Sequence, residues 1–336
     1  MNSSVRQNAA LRWDSGRLSI LDQTLLPHRE AWIELRGAAD TAAAIRCLAV
    51  RGAPLIGIAA AYGLALEVAA STTDAAEPVM RELRDARPTA VNLAWAVDRV
   101  WAAAQAGGAD AARAEAERIE AEEDAASAAI AVHGADLLAG ARRILTHCNT
   151  GALATGGAGS ALGVIRELAA RGGVEVLASE TRPLLQGARL TVWELARDAI
   201  PVTLTVDGAA AGLMRRGEVD AVIVGCDRVA ANGDVANKVG TYTHALAARA
   251  AGIPFVVAGP TSSIDPVLAS GDHIEIEERD AEEVRRPGGE LVTLPDVPVR
   301  NPAFDVTPAE LISAFVCERG TARPPTTAAI ARLLAS

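Results

Sequence analysis

Aromatic residues and positive charge are both scarce in this chain of 336 residues. Aromatic side chains make up 3% of the sequence, and 42 acidic residues outnumber 32 basic ones, which gives a formal net charge of -10. Proteins that bind nucleic acids need a basic surface for the phosphates, and those that bind single strands also use aromatic side chains for stacking. The composition therefore argues against nucleic acid as a partner.

The sequence also shows neither paired cysteines nor an export signal. Its four cysteines, at positions 47, 148, 226 and 317, form no Cys-x-x-Cys pair, so neither a zinc knot nor a disulfide framework is indicated. Residues 1–16 are polar, unlike the apolar core of a signal peptide. We expect reduced thiols and a cytoplasmic location.

A membrane-spanning segment is not expected either. The longest apolar run, 52–66, contains Tyr62 and is followed by Glu67, and it is shorter than the roughly 20 residues that span a bilayer. Hydrophobic residues make up 50% of the chain and charged residues 22%, a balance typical of a well-packed soluble enzyme. We expect the run to form a buried helix.

Short β-rich runs alternate with helical patterns after residue 140. Strands are predicted at 144–148, 174–178, 202–206, 221–225 and 255–258, and crossover helices at 160–170, 185–199, 209–216 and 237–251. This alternation is typical of a doubly wound, mainly parallel, Rossmann-like sheet. Such sheets bind ligands beyond the carboxyl ends of their strands.

The first part of the chain is predicted to be mostly helical. Short strands near 11–13 and 18–21 precede helices at 41–50, 54–70, 91–104 and 109–138. We therefore predict an α/β protein with an N-terminal, mostly helical domain at 1–138 and a Rossmann-like catalytic domain at 139–336. Near the end, a capping box at 307–310 predicts a helix that runs to about Glu318.

A polar segment after the strand at 221–225 is the first candidate site. Asp227 follows apolar residues that should keep its carboxyl group protonated, although Asp is also a frequent turn former. Asn237 and Lys238 are expected to open the next helix. Lysine at a helix start opposes the helix dipole, so an anionic ligand would explain its presence there.

Cys148 marks a second candidate site at the end of the strand at 144–148. It precedes a glycine-rich turn into a helix, and the N–H groups of such a turn favour an anion or a thiolate. A buried cysteine is also often only a small hydrophobe. The glycine spacing in 157–163 misses the dinucleotide fingerprint by one residue, so a nicotinamide-dependent reductase has weak support. By itself, His147 is expected to be structural.

Two arginines precede predicted helices and suggest phosphate binding. Arg51 stands before the amides of Gly52 and Ala53, and Arg87 stands before Thr89, a plausible helix cap. Arginine is the natural partner of phosphate because its planar donors match the phosphate oxygens. A solvated arginine at a helix start is the alternative interpretation.

Taken together, five motifs closely resemble those of the 5-methylthioribose-1-phosphate isomerase family over nearly the whole chain. They are R-G-A-P at 51–54, R-P-T-A-V-N-L at 87–93, T-H-C-N at 146–149, E-T-R-P-L-L-Q-G-A-R-L-T at 180–191 and D-R-V-A-A-N-G-D-V-A-N-K-V-G-T-Y at 227–242. The same fold is shared by ribose-1,5-bisphosphate isomerases and by regulatory subunits of the eukaryotic initiation-factor nucleotide-exchange complex.

The resemblance implies an aldose–ketose isomerase of methionine salvage. It also implies a homodimer that takes a sugar phosphate as substrate and needs no metal and no cofactor. By position, Cys148 and Asp227 match the catalytic pair of the family. The substrate contacts of the family fall on Arg51, Gly52, Ala53, Arg87, Gln186, Asn237 and Lys238.

The chain departs from the family pattern at three places. Ser179 stands where aspartate is usual, Cys226 where alanine is usual, and 207–209 reads Asp-Gly-Ala. These departures leave 5-deoxyribose 1-phosphate and ribose 1,5-bisphosphate open as substrates. A non-catalytic, initiation-factor-like regulatory subunit is the alternative function.

Overall fold

The computed structural model describes residues 6–7, 10–14, 16–87 and 91–335, and the chain packs as two compact units. Unit 1 comprises Met1–Ala128 and Thr150–Gly159, and unit 2 comprises Ala129–Asn149 and Ser160–Ser336. The division falls inside a long helix. The predicted domain boundary at residue 138 lies next to the end of the same helix and stays a prediction.

Unit 1 combines a small antiparallel sheet with helices. Four strands pair in sequence order: β1 (Arg6–Gln7), β2 (Leu11–Asp14), β3 (Arg17–Leu21) and β4 (Trp32–Leu35). The helices are α1 (Ala38–Arg46), α2 (Ala53–Ala70), α3 (Thr73–Arg84), α4 (Val91–Leu137), which continues into unit 2, and the short α5 (Ala152–Thr155). The sequence predicted β2, β3, α1 and α2 but not β4 or α3.

The apolar helix α2 forms the centre of unit 1. It is long and apolar enough to cross a membrane, but 67% of its residues are buried inside the protein. A helix that is hydrophobic all round and packed inside a folded unit is a core helix. Its Tyr62 is fully buried, stacks on Trp13 with ring centroids 4.6 Å apart, and donates a hydrogen bond of 2.5 Å to Glu120.

The helices predicted at 91–104 and 109–138 form one element, α4, with a kink between them. Gly107 and Gly108 have non-helical backbone angles, and φ of Gly108 is +69°. Glycine disfavours the helix interior because it loses the most backbone entropy there, and sharp kinks occur at such residues. The sequence therefore predicted both helices and the break between them, but not that they form one kinked element.

Unit 2 contains two sheets. In chain order the strands are β5 (Arg143–Thr146), β6 (Glu175–Ser179), β7 (Val202–Thr205), β8 (Ala221–Val224), β9 (Arg228–Ala230), β10 (Val235–Lys238), β11 (Phe255–Ala258), β12 (Ile264–Asp265), β13 (Phe304–Thr307), β14 (Ala314–Cys317) and β15 (Gly320–Ala322). The large sheet has the order β15-β14-β11-β8-β5-β6-β7, and every pair is parallel except β14 with β15. The small sheet has the order β12-β9-β10-β13.

The large sheet is buried on both faces, as expected for a doubly wound fold. Along β8, Val222 and Val224 belong to one apolar cluster, whereas Ala221 and Ile223 belong to another. Successive side chains of a strand point to opposite faces, so each face has its own core. The helices of unit 2 are α6 (Ala161–Gly172), α7 (Val192–Arg197), α8 (Ala210–Arg215), α9 (Thr241–Ala251), α10 (Glu282–Arg285) and α11 (Thr327–Ala335). The predicted fold class is confirmed.

The prediction of a helix from the capping box at 307–310 is wrong. Thr307 ends β13, only a single 3₁₀ turn forms at Ala309–Leu311, and the apolar run that follows is the fully buried strand β14. A short apolar run does not distinguish a buried strand from a helix by its periodicity. The run forms a strand because it pairs in parallel with β11.

Gly233 in the turn between β9 and β10 provides a test of the close packing in unit 2. Its φ is +89°, and a Cβ there would lie 1.8 Å from the carbonyl oxygen of Pro325. We expect Gly233→Ala to lower the free energy of unfolding by roughly 2–5 kcal/mol, the sum of a left-handed backbone cost and overpacking. Urea denaturation measures the change.

Gly217→Ala is the matched control. Gly217 also has a positive φ, +71°, but nothing lies within 4 Å of its Cβ position. This substitution should cost only the backbone term of about 1–2 kcal/mol. Equal destabilisation by both substitutions would contradict the packing argument.

Candidate functional site

The switch point of the large sheet places the two candidate catalytic residues after adjacent strands. The chain goes from β5 to β6 and β7 on one side, and then to β8 on the other side of β5. Cys148 follows β5, and Asp227 follows β8. Open α/β sheets bind their ligands at the carboxyl ends of strands where the strand order reverses.

The main chain of Cys148 is held in an unusual conformation by two threonine hydroxyl groups. Its φ is +63°, in the left-handed region that residues other than glycine rarely adopt. The N–H of Cys148 donates to Oγ1 of Thr181 at 2.8 Å, and its carbonyl oxygen accepts from Oγ1 of Thr191 at 2.6 Å. Cys148 is only 8% exposed. Its thiol group is therefore nearly buried and is carried by a main chain that is held in place.

The residue after Cys148 is anchored by a buried ion-pair network. Nδ2 of Asn149 donates to Oε1 of Glu194 at 2.8 Å, and Glu194 also pairs with Arg166 at 2.8 Å. Arg166 pairs in turn with Asp198 at 2.7 Å. A buried carboxylate needs such partners because its desolvation is costly, and the network thereby fixes Asn149.

Asp227 is half-buried at the start of a hairpin. Its N–H donates to the carbonyl oxygen of Ala236 at 2.9 Å, directly before β9. Burial raises the pKa of the neighbouring Cys226 to about 12. Burial also raises the pKa of Cys317 to about 11. Both of these cysteines therefore remain thiols at neutral pH.

Asn237 and Lys238 do not open a helix, contrary to the prediction. They end strand β10, and α9 begins only at Thr241. Nζ of Lys238 donates to the carbonyl oxygen of Ala303 at 2.8 Å and lies 4.6 Å from the ring centroid of Phe304. Asn237 is buried, and its Nδ2 donates to Oγ1 of Thr241 at 2.9 Å.

Asp305 stabilises the start of α9. It accepts hydrogen bonds from the N–H groups of Gly240 at 2.7 Å and Tyr242 at 3.1 Å. Burial raises the pKa of Asp305 to about 6, although these N–H groups and Lys238 favour its charged form. The argument from the helix dipole does not apply to Lys238, because this residue ends β10 and lies before the start of α9.

Gln186 is buried, with 7% exposure, in the segment that follows β6. Among the residues that the structure describes, no hydrogen-bond partner of its Oε1 is found. Buried polar atoms are seldom left unpaired. A hydroxyl group of a bound ligand would satisfy this oxygen, and the substrate contact of Gln186 stays a prediction.

In unit 1, the start of α2 and the loop before it contain the predicted phosphate contacts Arg51, Gly52 and Ala53. Nε of Arg51 donates to Oε1 of Gln23 at 3.0 Å, and Nε2 of Gln23 donates to the carbonyl oxygen of Leu153 at 2.7 Å. Gly52 is the N-cap residue of α2, has a φ of +100°, and would place a Cβ 2.4 Å from the Ala154 carbonyl oxygen. Only glycine fits this close approach.

Arg87, the other predicted phosphate contact, is half-buried after α3. The proposed cap Thr89 lies outside the described residues. Unit 1 thus keeps Arg51 to Ala53 together at the start of α2, and unit 2 brings Cys148 and Asp227 to neighbouring strand ends.

A buried pair of histidines beside Cys148 was not predicted. Nε2 of His147 donates to the carbonyl oxygen of Val239 at 2.9 Å, and its Nδ1 lies 2.6 Å from Oγ of Ser179 and 3.2 Å from Nε2 of His244. Burial lowers the pKa of His147 to about 4 and that of His244 to about 3. Both rings are therefore neutral at pH 7. The position of His147 next to Cys148 was the only sequence signal.

This histidine pair also resembles part of a metal site. Ligand-type atoms of His147, His244 and Asp207 lie within 4.8 Å of one another. A carbonyl oxygen only accepts, so the bond to Val239 places the proton of neutral His147 on Nε2. Its Nδ1 then accepts the hydroxyl proton of Ser179. The lone pair of Nδ1 that a metal would need is thus already engaged.

The two histidines predict a loss of stability in acid. The unfolded chain binds a proton at each of them below pH 6.5, whereas the folded protein does so only near pH 4 for His147 and pH 3 for His244. Their contribution is full above pH 6.5 and is lost as the pH falls towards 4. The slope is at most about 1.4 kcal/mol per pH unit for each histidine.

We expect His244→Gln to reduce this slope when unfolding is measured by denaturant between pH 7 and pH 4.5. Asp305 contributes with the opposite sign, because its pKa is raised, but it cancels between the variant and the parent protein. His28→Gln, at an exposed histidine, is the control. An unchanged slope in His244→Gln would refute the neutral state of the buried ring.

The fold and the site define a class: an α/β protein with ionisable side chains gathered at the switch point of a doubly wound sheet, an arrangement typical of small-molecule sites. A model of the Initiation factor 2 subunit family matches residues 49–324, and the chain belongs to that family.

Relatives within the family are similar over almost the whole chain. Methylthioribose-1-phosphate isomerase from Alcanivorax borkumensis is 52% identical, with 96% of each chain covered. The crystal structure of 5-methylthioribose 1-phosphate isomerase from Pyrococcus horikoshii is similar with a TM-score of 0.91 and 40% identity, covering 98% of this chain and 97% of that one. Translation initiation factor eIF-2B, subunit delta, from A. fulgidus is similar with a TM-score of 0.87 and 39% identity, covering 98% of this chain and 100% of that one.

Proposed function

We propose that the protein isomerises 5-methylthioribose 1-phosphate to 5-methylthioribulose 1-phosphate, a step of methionine salvage. The observation that carries this proposal is the identity of 52% with an isomerase of that name over 96% of both chains. The positions of Cys148 and Asp227 after adjacent strands at the switch point support it. The lower identity of 39% to an initiation-factor subunit makes a regulatory role the less favoured alternative.

Ring opening requires an acid. The anomeric oxygen of this substrate carries the phosphate, so the ring does not open as a free hemiacetal does. Asp227, half-buried beside a thiol that stays neutral, donates a proton to the ring oxygen. A carboxyl group shielded from water keeps its proton more readily than an exposed one.

Cys148 serves the hydrogen transfer that converts the aldose into the ketose. The hydrogen on C2 moves to C1, so that C2 is oxidised and C1 is reduced. In one route the thiolate of Cys148 removes the proton from C2 to give an enediol and a thiol, and the thiol then returns a proton to C1. In the other route hydride moves directly, and Cys148 stabilises the charge that develops.

The remaining residues bind the substrate. Arg51, Arg87 and the amides of Gly52 and Ala53 hold the phosphate, since arginine and helix-start amides both favour it. The list of sugar contacts comprises Gln186, Asn237 and Lys238. Leu153 and Ala154, which anchor the Arg51 loop, come shortly after Cys148 in the sequence. We further propose that the enzyme acts as a homodimer in the cytoplasm without metal or cofactor.

An assay of the pure protein tests the function. Methylthioribose 1-phosphate, 5-deoxyribose 1-phosphate and ribose 1,5-bisphosphate are offered in parallel, and ketose formation is measured. We expect the highest kcat/KM with methylthioribose 1-phosphate. If none of the three gives ketose, the isomerase proposal is refuted and the regulatory function is favoured. If another substrate is preferred, the proposed sugar is wrong but the proposed reaction stands.

Asp227→Asn should lower kcat by roughly two to four orders of magnitude while the substrate still binds, because the acid is lost and the shape is kept. Steady-state kinetics and isothermal calorimetry measure the two effects. Turnover at the level of the parent enzyme would reject Asp227 as the acid.

Cys148→Ser should lower kcat by roughly a hundredfold or more. Cys47→Ser, at an exposed thiol, and Cys317→Ser, at a thiol in β14, are the controls and should retain activity. A similar loss in all three variants would indicate impaired folding instead of chemistry.

Deuterium at C2 of the substrate distinguishes the two routes. In the enediol route the deuterium removed from C2 is held by the thiol of Cys148, where it exchanges with solvent. The ketose would therefore lose deuterium in ordinary water. A direct hydride shift retains all the label at C1. Mass spectrometry of the product reads the result.

A further inference from the structure

We propose that His147 is a positioning residue that ties the loop carrying Cys148 to the turn after Lys238. The proposal rests on the proposed function for its kinetic consequences, but its structural part is independent of the substrate. His147 does not touch the reacting atoms in this account. It acts through the main chain on both sides of the site.

The first half of the tie is covalent. His147 directly precedes Cys148, whose φ of +63° needs support from its surroundings. The imidazole is completely buried, and its Nδ1 accepts from Oγ of Ser179 at 2.6 Å. Nε2 of His244 approaches the same nitrogen at 3.2 Å. The hydrogen bond to Ser179 and the close packing of His244 fix the ring, and with it the start of the Cys148 loop.

The second half of the tie is the hydrogen bond to Val239. Nε2 of His147 donates to this carbonyl oxygen at 2.9 Å, and the ring packs against the backbone of Gly240. Val239 directly follows Asn237 and Lys238, the predicted sugar contacts at the end of β10. One side chain therefore links the end of β5 in the large sheet to the end of β10 in the small sheet.

Other bonds support each end of this link. Thr181 and Thr191 hold Cys148 within the large sheet, and Asp305 holds Gly240 within the small sheet. Through its bond to Val239, His147 adds a direct connection between these two held ends, and so contributes to the spacing between the main chain of Cys148 and the Lys238 turn. Misplacement of a catalytic group by about 1 Å costs roughly a hundredfold in rate.

The main test compares His147→Leu with His147→Gln. Leucine removes both ring nitrogens, whereas the terminal amide of glutamine still donates to Val239. We expect His147→Leu to lower kcat roughly tenfold to a hundredfold with KM changed by less than about threefold, and His147→Gln to recover most of kcat. A glutamine variant no better than the leucine variant would overturn the proposal.

Hydrogen exchange read by mass spectrometry gives a readout that needs no substrate. In His147→Leu, amides in 147–151 and in 238–242 should exchange roughly tenfold faster, the effect of about one net hydrogen bond. Strands β11 and β14 should be unchanged. Unchanged exchange in 238–242, or faster exchange throughout unit 2, would overturn the tie.

Two further variants complete the experiment. Ser179→Ala removes only the hydroxyl group on Nδ1 and should show the same pattern with a smaller amplitude, which keeps the test open if His147→Leu does not fold. His133→Leu is the matched control, because Nδ1 of His133 contacts the carbonyl oxygen of Cys317 at 2.9 Å elsewhere in unit 2. It should leave kcat and exchange in 238–242 unaltered. A parent protein without isomerase activity would refute the proposed function, and the exchange data would then decide on the tie alone.

Discussion

The candidate site depends on the support that two threonine hydroxyl groups give to the main chain of Cys148. A left-handed conformation at a residue other than glycine costs about 1–3 kcal/mol and persists only where the surroundings impose it. Thr181 and Thr191 both lie in the segment after β6, and the N–H of Thr181 is itself held by Asp207 after β7 at 2.8 Å. Three consecutive parallel strands thus combine to place one sulfur atom.

Burial decides which groups near the sheet edge carry charge. It keeps Cys226 as a thiol and His147 and His244 as neutral rings at pH 7. These neutral, hydrogen-bonded side chains provide fixed dipoles instead of mobile charges. Such dipoles need little reorganisation when charge develops in a bound sugar phosphate.

The sequence predicted the strands β5, β6, β7, β8 and β11 because each is an apolar run bounded by turn residues, and it thereby placed Cys148 and Asp227 correctly at strand ends. It failed at β10 and β14, where pairing with distant strands overrides local preference. The hydroxyl and imidazole contacts could not be predicted. Thr191, for example, is 43 residues from Cys148, and no spacing rule joins them.

The segment Thr150–Gly159, which belongs to unit 1 but lies between two segments of unit 2, affects how the protein folds during translation. Residues 150–159 belong to unit 1 although they follow β5, the first strand of the large sheet. A single cut in the polypeptide therefore cannot separate the two units. An N-terminal fragment that stops at Ala128 lacks Leu153 and Ala154, the residues that brace the Arg51 loop. On the ribosome, where domains generally fold as they emerge, unit 1 is complete only after residue 159 has left the exit tunnel, so the Arg51 loop reaches its final conformation only then.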